Sequence, residues 1–231
     1  MTEPSYLRET RAAYDTVAGD YARLLITKPP ETSLDLAMVA TFAELVKAAD
    51  VGPVADLGCG PGRMTAHLSS LGLTAFGVDL SPEMVAVARR TYPELPFDEG
   101  SMTDLDLGDG AVGGVLAWYS IIHFPTEMLP AVFAEFHRVL SPGGHVLLAF
   151  QVGDERLHLE QGYGHAVSLH AYRRPPGLVA ELLSEAGMDV RARLLREPEG
   201  LEKVPQACVL ARKPVPVDHE VGAATHRRTW T

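Results

Sequence analysis

Basic residues are in short supply: 20 lysines and arginines stand against 30 aspartates and glutamates, a formal net charge of −10 over 231 residues. An acidic chain repels phosphate backbones, so nucleic acid is not the expected partner. The basic clusters Arg89-Arg90, Arg173-Arg174 and Arg227-Arg228 are small and read as solvated surface. Cysteine is scarce too. Cys59 and Cys208 are the only two, which argues against a disulfide framework and suits a reducing cytosol. No apolar run approaches the roughly 20 residues of a membrane helix. The opening MTEPSYLRETRAAYD lacks the basic-then-apolar order of a secretory signal. A cytoplasmic chain without a membrane partner is therefore expected. Close pairs of metal ligands are also missing: His158, His165 and His170 are spaced seven and five apart with no cysteine nearby, so no metal is expected.

What is present is ordinary for a globular protein, 46% apolar and 22% charged residues. The length suits one domain, placed at residues 1–213, with an N-terminal helical lid over about 5–50. The tail 214–231 has no periodicity and is expected to be disordered. Residues 5–25 carry a helical apolar stripe in which Tyr14 and Tyr21 lie seven apart, on one face. Lys28-Pro29-Pro30 breaks the chain, and a second helix is expected from about Leu34 to Ala49.

Strands and helices then alternate. Strands are expected at Val54–Leu57, Thr74–Val78, Phe97–Gly100, Val112–Tyr119 and His145–Val152, and a closing antiparallel pair at Val190–Leu195 and Gln206–Arg212. Helices are expected at Met64–Leu71, from Ser81-Pro82-Glu83 to about Tyr92, at Glu127–Leu140 and at Pro175–Ala186. Ser141-Pro142-Gly143-Gly144 reads as a turn, and 153–174 as a long loop. Repeated βα units imply an α/β fold, a mostly parallel sheet with helices on both faces.

The chemistry starts at Asp56-Leu57-Gly58-Cys59-Gly60-Pro61-Gly62, a strand, glycine turn and helix in succession. Such a turn at the carboxyl end of a parallel strand is where open α/β sheets bind nucleotides. The dinucleotide fingerprint G-x-G-x-x-G wants its third glycine at position 63, which is arginine; here it falls at 62. Asp79 ends strand two, where a carboxylate can accept both hydroxyls of a ribose. That contact suits any adenosine ligand, so Asp79 leaves NAD and S-adenosylmethionine (SAM) both open.

Four pieces in order resemble the class I, Rossmann-like SAM-dependent methyltransferases, small-molecule type: Asp56–Gly62, Gly77–Met84, Gly100–Leu105 and Phe136–Leu148. The resemblance implies a seven-stranded sheet with an antiparallel edge strand, and SAM as cofactor with S-adenosylhomocysteine (SAH) as product. It implies that Gly58, Gly60 and Gly62 approach the methionine part, with Asp56 and Cys59 of the same turn as further cofactor-binding candidates. It gives Asp79 the ribose, Leu80 and Met84 the adenine faces, and Ser101 and Met102 the adenine edge. Asp104 is the nearest acid to Ser101, where the family often has one. Trp118 and Tyr119 fall near the sulfonium and acceptor, and Tyr21 near the SAM carboxylate. Met84 also fits core packing, and Asp56 also fits anchoring of its own loop.

Aromatic faces suit a sulfonium cation, which makes Tyr14, Tyr21 and Trp118 candidates. Removal of an acceptor's proton calls for a base near neutral pKa. His123, just past strand four, is the first candidate; His165, in the 153–174 segment, is the second, with Tyr14 beside them. The expected function is methyl transfer to an O, N or C atom of a small metabolite, possible natural-product tailoring. The alternatives are an RNA methyltransferase, a SAM-binding protein that does not methylate (a sensor or cyclisation catalyst), and, more distantly, a nicotinamide oxidoreductase.

Overall fold

The computed structural model describes residues 3–27 and 31–216. The expected chain break at 28–30 and the expected disorder of the tail from 217 onward lie outside the described residues. Helix α1 spans Ser5–Thr27 and α2 spans Ser33–Ala49. Thr32 caps α2 in a reciprocal box with Asp35, satisfying donors that a helix start leaves free.

Seven strands then form one sheet in the order β3-β2-β1-β4-β5-β9-β8. They are β1 (Val54–Leu57), β2 (Ala75–Asp79), β3 (Phe97–Glu99), β4 (Val112–Trp118), β5 (Leu140–Gln151), β8 (Asp189–Arg196) and β9 (Gln206–Arg212). The first five pair in parallel; β9 runs antiparallel between β5 and β8. The antiparallel pair expected at the edge is thus present, with β8 outermost. Every residue of β1 and β4 is buried, as a central strand covered on both faces requires.

Helices α5 (Leu129–Val139) and α6 (Pro176–Glu185) cover one face through Val132, Phe133, Phe136, Val179 and Leu183. Helix α3 (Arg63–Ser70) and α2 cover the other through Val39, Phe42, Met64 and Leu68. Burying each such side chain contributes about 1.5–3 kcal/mol. Helix α4 (Pro82–Thr91) starts from the N-cap Ser81, whose hydroxyl accepts from the Met84 amide at 3.1 Å.

Two expectations need correction. The Ser141–Gly144 turn falls within the span of β5, whose first residue, Leu140, pairs with Val112 before the register shifts. The long loop at 153–174 is a β-hairpin, β6 (Arg156–Gly162) and β7 (His165–Tyr172), separate from the main sheet. Tyr163 (φ 54°) and Gly164 (φ 88°) form its two-residue turn. Positive φ at both central residues gives the twist that tight hairpins need. The hairpin packs on α1 through Val167, which joins Tyr14 and Tyr21 around the buried cluster of Val17, Ala18 and Met84. Helix α1 lies over the sheet's carboxyl edge, and α2 packs into the core.

Candidate active site

Strand order reverses between β1 and β4, the position where open α/β sheets bind ligands. A cleft opens there, as small-ligand sites commonly do at such switch points. Its floor is built from the carboxyl ends of β1, β2, β3 and β4. Its roof is α1, whose Leu7, Thr10, Arg11, Tyr14 and Tyr21 line it. Those spacings put all five on one helical face.

Gly58, Gly60 and Gly62 have φ of 73°, 53° and 84°, a region open to glycine. A Cβ on Gly58 would sit 2.3 Å from the Ser120 Cβ and 2.8 Å from the Met102 Cε. A Cβ on Gly60 would meet only Tyr21, at 3.8 Å, and so would stand on the cleft side. The Ser120 hydroxyl donates to the Leu57 carbonyl at 2.7 Å and ties the ends of β1 and β4 together.

Asp79 is the electrostatic centre. Its two oxygens accept from the Gly60 amide at 2.7 Å and the Ser81 amide at 2.9 Å. Burial pushes its pKa up, and these two amides partly offset that. An ionised carboxylate offers more acceptor positions than its backbone amides fill here, which leaves lone-pair room for a ligand. Helix α1 is fixed over this loop by Arg11 Nε donating to the Leu80 carbonyl at 3.1 Å and the Ser81 hydroxyl donating to Asp15 at 2.6 Å.

The second polar feature joins α1, the short 3-10 turn Ile121–His123 and the hairpin. His123 Nδ1 lies 2.9 Å from the His170 carbonyl of β7, and His123 Nε2 lies 2.7 Å from the Tyr14 hydroxyl. Burial drives the His123 pKa down to about 4, with the nearby Arg174 charge acting in the same direction. Burial also raises the Tyr14 phenol well above its usual value, helped by Tyr21, Tyr163 and Asp79. Arg174, 1% exposed, donates to the Ile121 carbonyl at 3.2 Å and to the Phe124 carbonyl, so it holds the turn that carries His123. Tyr119, with φ 55°, is strained at the cleft wall.

The cleft brings together Tyr14, Tyr21, Gly58, Gly60, Asp79, Leu80, Met84, Ser101, Met102, Trp118, Tyr119 and His123. Four candidates lie elsewhere. Asp56 is buried beneath the turn, accepts from the Thr65 hydroxyl at 2.7 Å, and is pushed up to about 7 by burial. That is the loop-anchoring alternative. Cys59 packs with Val85, Ala88 and Phe97, its thiol raised well above the usual value by burial. Gly62 precedes α3 against Phe97. His165 is corrected most plainly: it pairs with Asp20 at 2.6 Å where the hairpin meets α1, and does not line the cleft. Asp104 only bridges to Ser101 along the backbone.

Sequence reasoning missed Leu7, Thr10, Arg11, Ser120 and Phe124 as lining residues. The helical stripe through Tyr14 and Tyr21 was the available signal for the first three. It also missed Glu31, which pairs with Arg63 and accepts from the Trp118 indole. Among the described residues, no cluster of three metal-ligating side chains occurs, and no helix is long and apolar enough to cross a membrane.

Comparison with known proteins agrees with this geometry. A methyltransferase-domain family model matches residues 54–144. An uncharacterised methyltransferase of Mycobacterium tuberculosis is 32% identical over 153 residues, covering 65% of this chain and 56% of the relative. A demethylmenaquinone methyltransferase of Chlorobaculum parvum is 38% identical over 92 residues, covering 39% and 37%. The chain thus spans about half or less of the curated relatives' length. Among solved structures, DhpI in complex with SAH superposes with a TM-score of 0.67 at 21% identity, covering 94% of this chain and 100% of that one. The [4+2]-cyclase SpnF also gives 0.67, at 15% identity, covering 94% and 99%. Fold and cleft together define a Rossmann-like architecture, the fold that these solved structures share. Within it, residues 54–144 are the stretch that the methyltransferase-domain family model matches.

Proposed function

We propose that the chain is a SAM-dependent methyltransferase that transfers a methyl group to an O, N or C atom of a small metabolite. The observation that carries this reading is Asp79: a buried carboxylate held by two backbone amides, with its free lone pairs available to the cleft at the switch point. The residues fit the cofactor. Asp79 would take the ribose hydroxyls, Gly58 and Gly60 the close-lying methionine part, Leu80 and Met84 the adenine faces, and Ser101 and Met102 its edge. Tyr14, Tyr21 and Trp118 offer aromatic faces to a cation. When bound, SAM supplies an electrophilic methyl group on a sulfonium.

The chain's own contribution is largely alignment. Fixing the acceptor against the methyl donor replaces a bimolecular encounter, which is worth several kcal/mol of barrier. Helix α1, latched to the loop after β2, excludes water from that encounter. Residues 1–213 are proposed as one working unit with α1 as its lid. The net charge of −10 supports a small-molecule partner over a nucleic acid, and two buried free cysteines support a cytoplasmic setting. Titration calorimetry with SAM and SAH is the test: saturable binding of both is expected, and binding of neither rules the reading out.

A further inference from the structure

We infer that the acceptor is a hydroxyl compound, of phenol or enol type, whose proton leaves through Tyr14 to His123. The inference rests on the methyltransferase reading and deepens it. It follows from the direction of the hydrogen bonds around His123. The His170 carbonyl can only accept, so the proton on the imidazole is at Nδ1. In the neutral ring Nε2 is then a lone pair, so the Tyr14 hydroxyl must donate to it. The Tyr14 oxygen is left with lone pairs and no proton to offer. Both residues line the cleft, so what the pair presents there is a hydrogen-bond acceptor. It attracts a ligand group that carries a proton and repels a carboxylate.

Three kinds of nucleophile carry such a proton. A neutral amine becomes an ammonium ion on methylation, a weak acid that holds its proton and has no use for this relay. A carbon acid calls for a stronger base than imidazole. A hydroxyl, by contrast, grows strongly acidic as its oxygen is methylated, and a phenol or enol yields its proton to a weak base more readily than an aliphatic alcohol, so it matches the pair. In the proposed step the acceptor oxygen forms its bond to the methyl carbon as that carbon's bond to the donor sulfur breaks, and the bonding electron pair leaves with sulfur. The oxygen becomes strongly acidic as the new bond forms. Its proton passes to the Tyr14 oxygen while Tyr14's own proton passes to His123 Nε2. The products are a methyl ether, the neutral thioether and an imidazolium. The Arg174 charge disfavours that imidazolium and so favours its loss of the proton. Tyr21, Tyr163 and Asp79 face Tyr14 and oppose a standing phenolate. Tyr14 is the catalytic contact; His123 acts through it.

The test has two readouts on the full chain. Nitrogen-15 NMR of histidine-labelled protein should show His123 neutral and protonated at Nδ1 near pH 7, and Tyr14→Phe should shift its Nε2 signal to that of a free lone pair. A proton on Nε2, or an imidazolium at pH 7, overturns the inference. A metabolite extract incubated with deuterated-methyl SAM should yield labelled ethers that withstand mild alkali. Label released by alkali as methanol would come from methyl esters and would also overturn it. On the acceptor so found, Tyr14→Phe should lower kcat about 10²-fold or more while SAM still binds; an unchanged kcat overturns the relay. Calorimetry on the same sample separates the failures, because a protein that binds neither SAM nor SAH overturns the methyltransferase reading beneath.

Discussion

Asp79 and Asp56 are both buried acids at the ends of neighbouring strands, and their surroundings give them opposite work. Asp79 faces the cleft with two backbone amides on it. Asp79→Ala should therefore weaken SAM binding by about 1–3 kcal/mol in calorimetry, the worth of hydrogen bonds to a charged group. Asp56 faces the core with one hydroxyl on it, and burial lifts its pKa from 3.8 to about 7. A carboxyl whose folded pKa is raised keeps its proton where the unfolded chain has lost it. Between about pH 4 and about pH 7 the folded state then binds the extra proton, so stability falls as pH rises, by up to about 1.4 kcal/mol per pH unit. Asp56→Asn keeps the Thr65 contact and removes the titration. Denaturant unfolding should find the variant more stable than wild type at pH 8, with the gap closing toward pH 4. At this scale the sequence announced Asp79 because it closes an apolar strand before a capped helix. The burial of Asp56 and Cys59 was not legible, because it depends on how α3 and α4 settle on the turn.

At the scale of elements, the hairpin β6–β7 is the part that the sequence pattern hid. Its outer strand is largely exposed, so no strong alternation marks it, and its turn rests on Tyr163-Gly164 rather than on asparagine and glycine. The histidines and tyrosines of that segment drew notice as side chains, yet its closest link to the chemistry is a backbone carbonyl, that of His170. Helix α1 was legible as a helix because its apolar stripe has a clear period; that Thr10 and Arg11 share its cleft face was within reach of the same period but was missed. Arg174, next to the hairpin's last strand, is a test of this level. Its guanidinium satisfies the buried carbonyls of Ile121 and Phe124. Arg174→Met should lower the unfolding free energy by about 2 kcal/mol or more in urea, through acceptors left unpaired. It should also lower turnover, because the turn it holds carries His123.

For the whole molecule, alternating strands and helices made the doubly covered parallel sheet readable, since buried parallel strands must be continuously apolar. What joins its far edge to the N-terminal half was not readable from pattern. Arg196 on β8 pairs with Asp35 on α2 at 2.8 Å and with Glu202 at 2.5 Å, both Arg196 and Asp35 side chains being 3% exposed. Removing one partner of a buried pair costs about 3–5 kcal/mol, and Glu202 keeps the loss toward the lower end. Asp35→Ala should therefore lower Tm by roughly 10 °C in calorimetric scans, with the cleft chemistry unchanged in the folded fraction. In the proposed function, this sheet and its α1 roof bring a methyl donor and a small acceptor together. Incubation with deuterated-methyl SAM and a metabolite extract, followed by mass spectrometry, tests that claim most directly. SAH and one labelled small molecule should accumulate together, mole for mole. SAM bound but left unconsumed, or SAH formed with no labelled product, would contradict it.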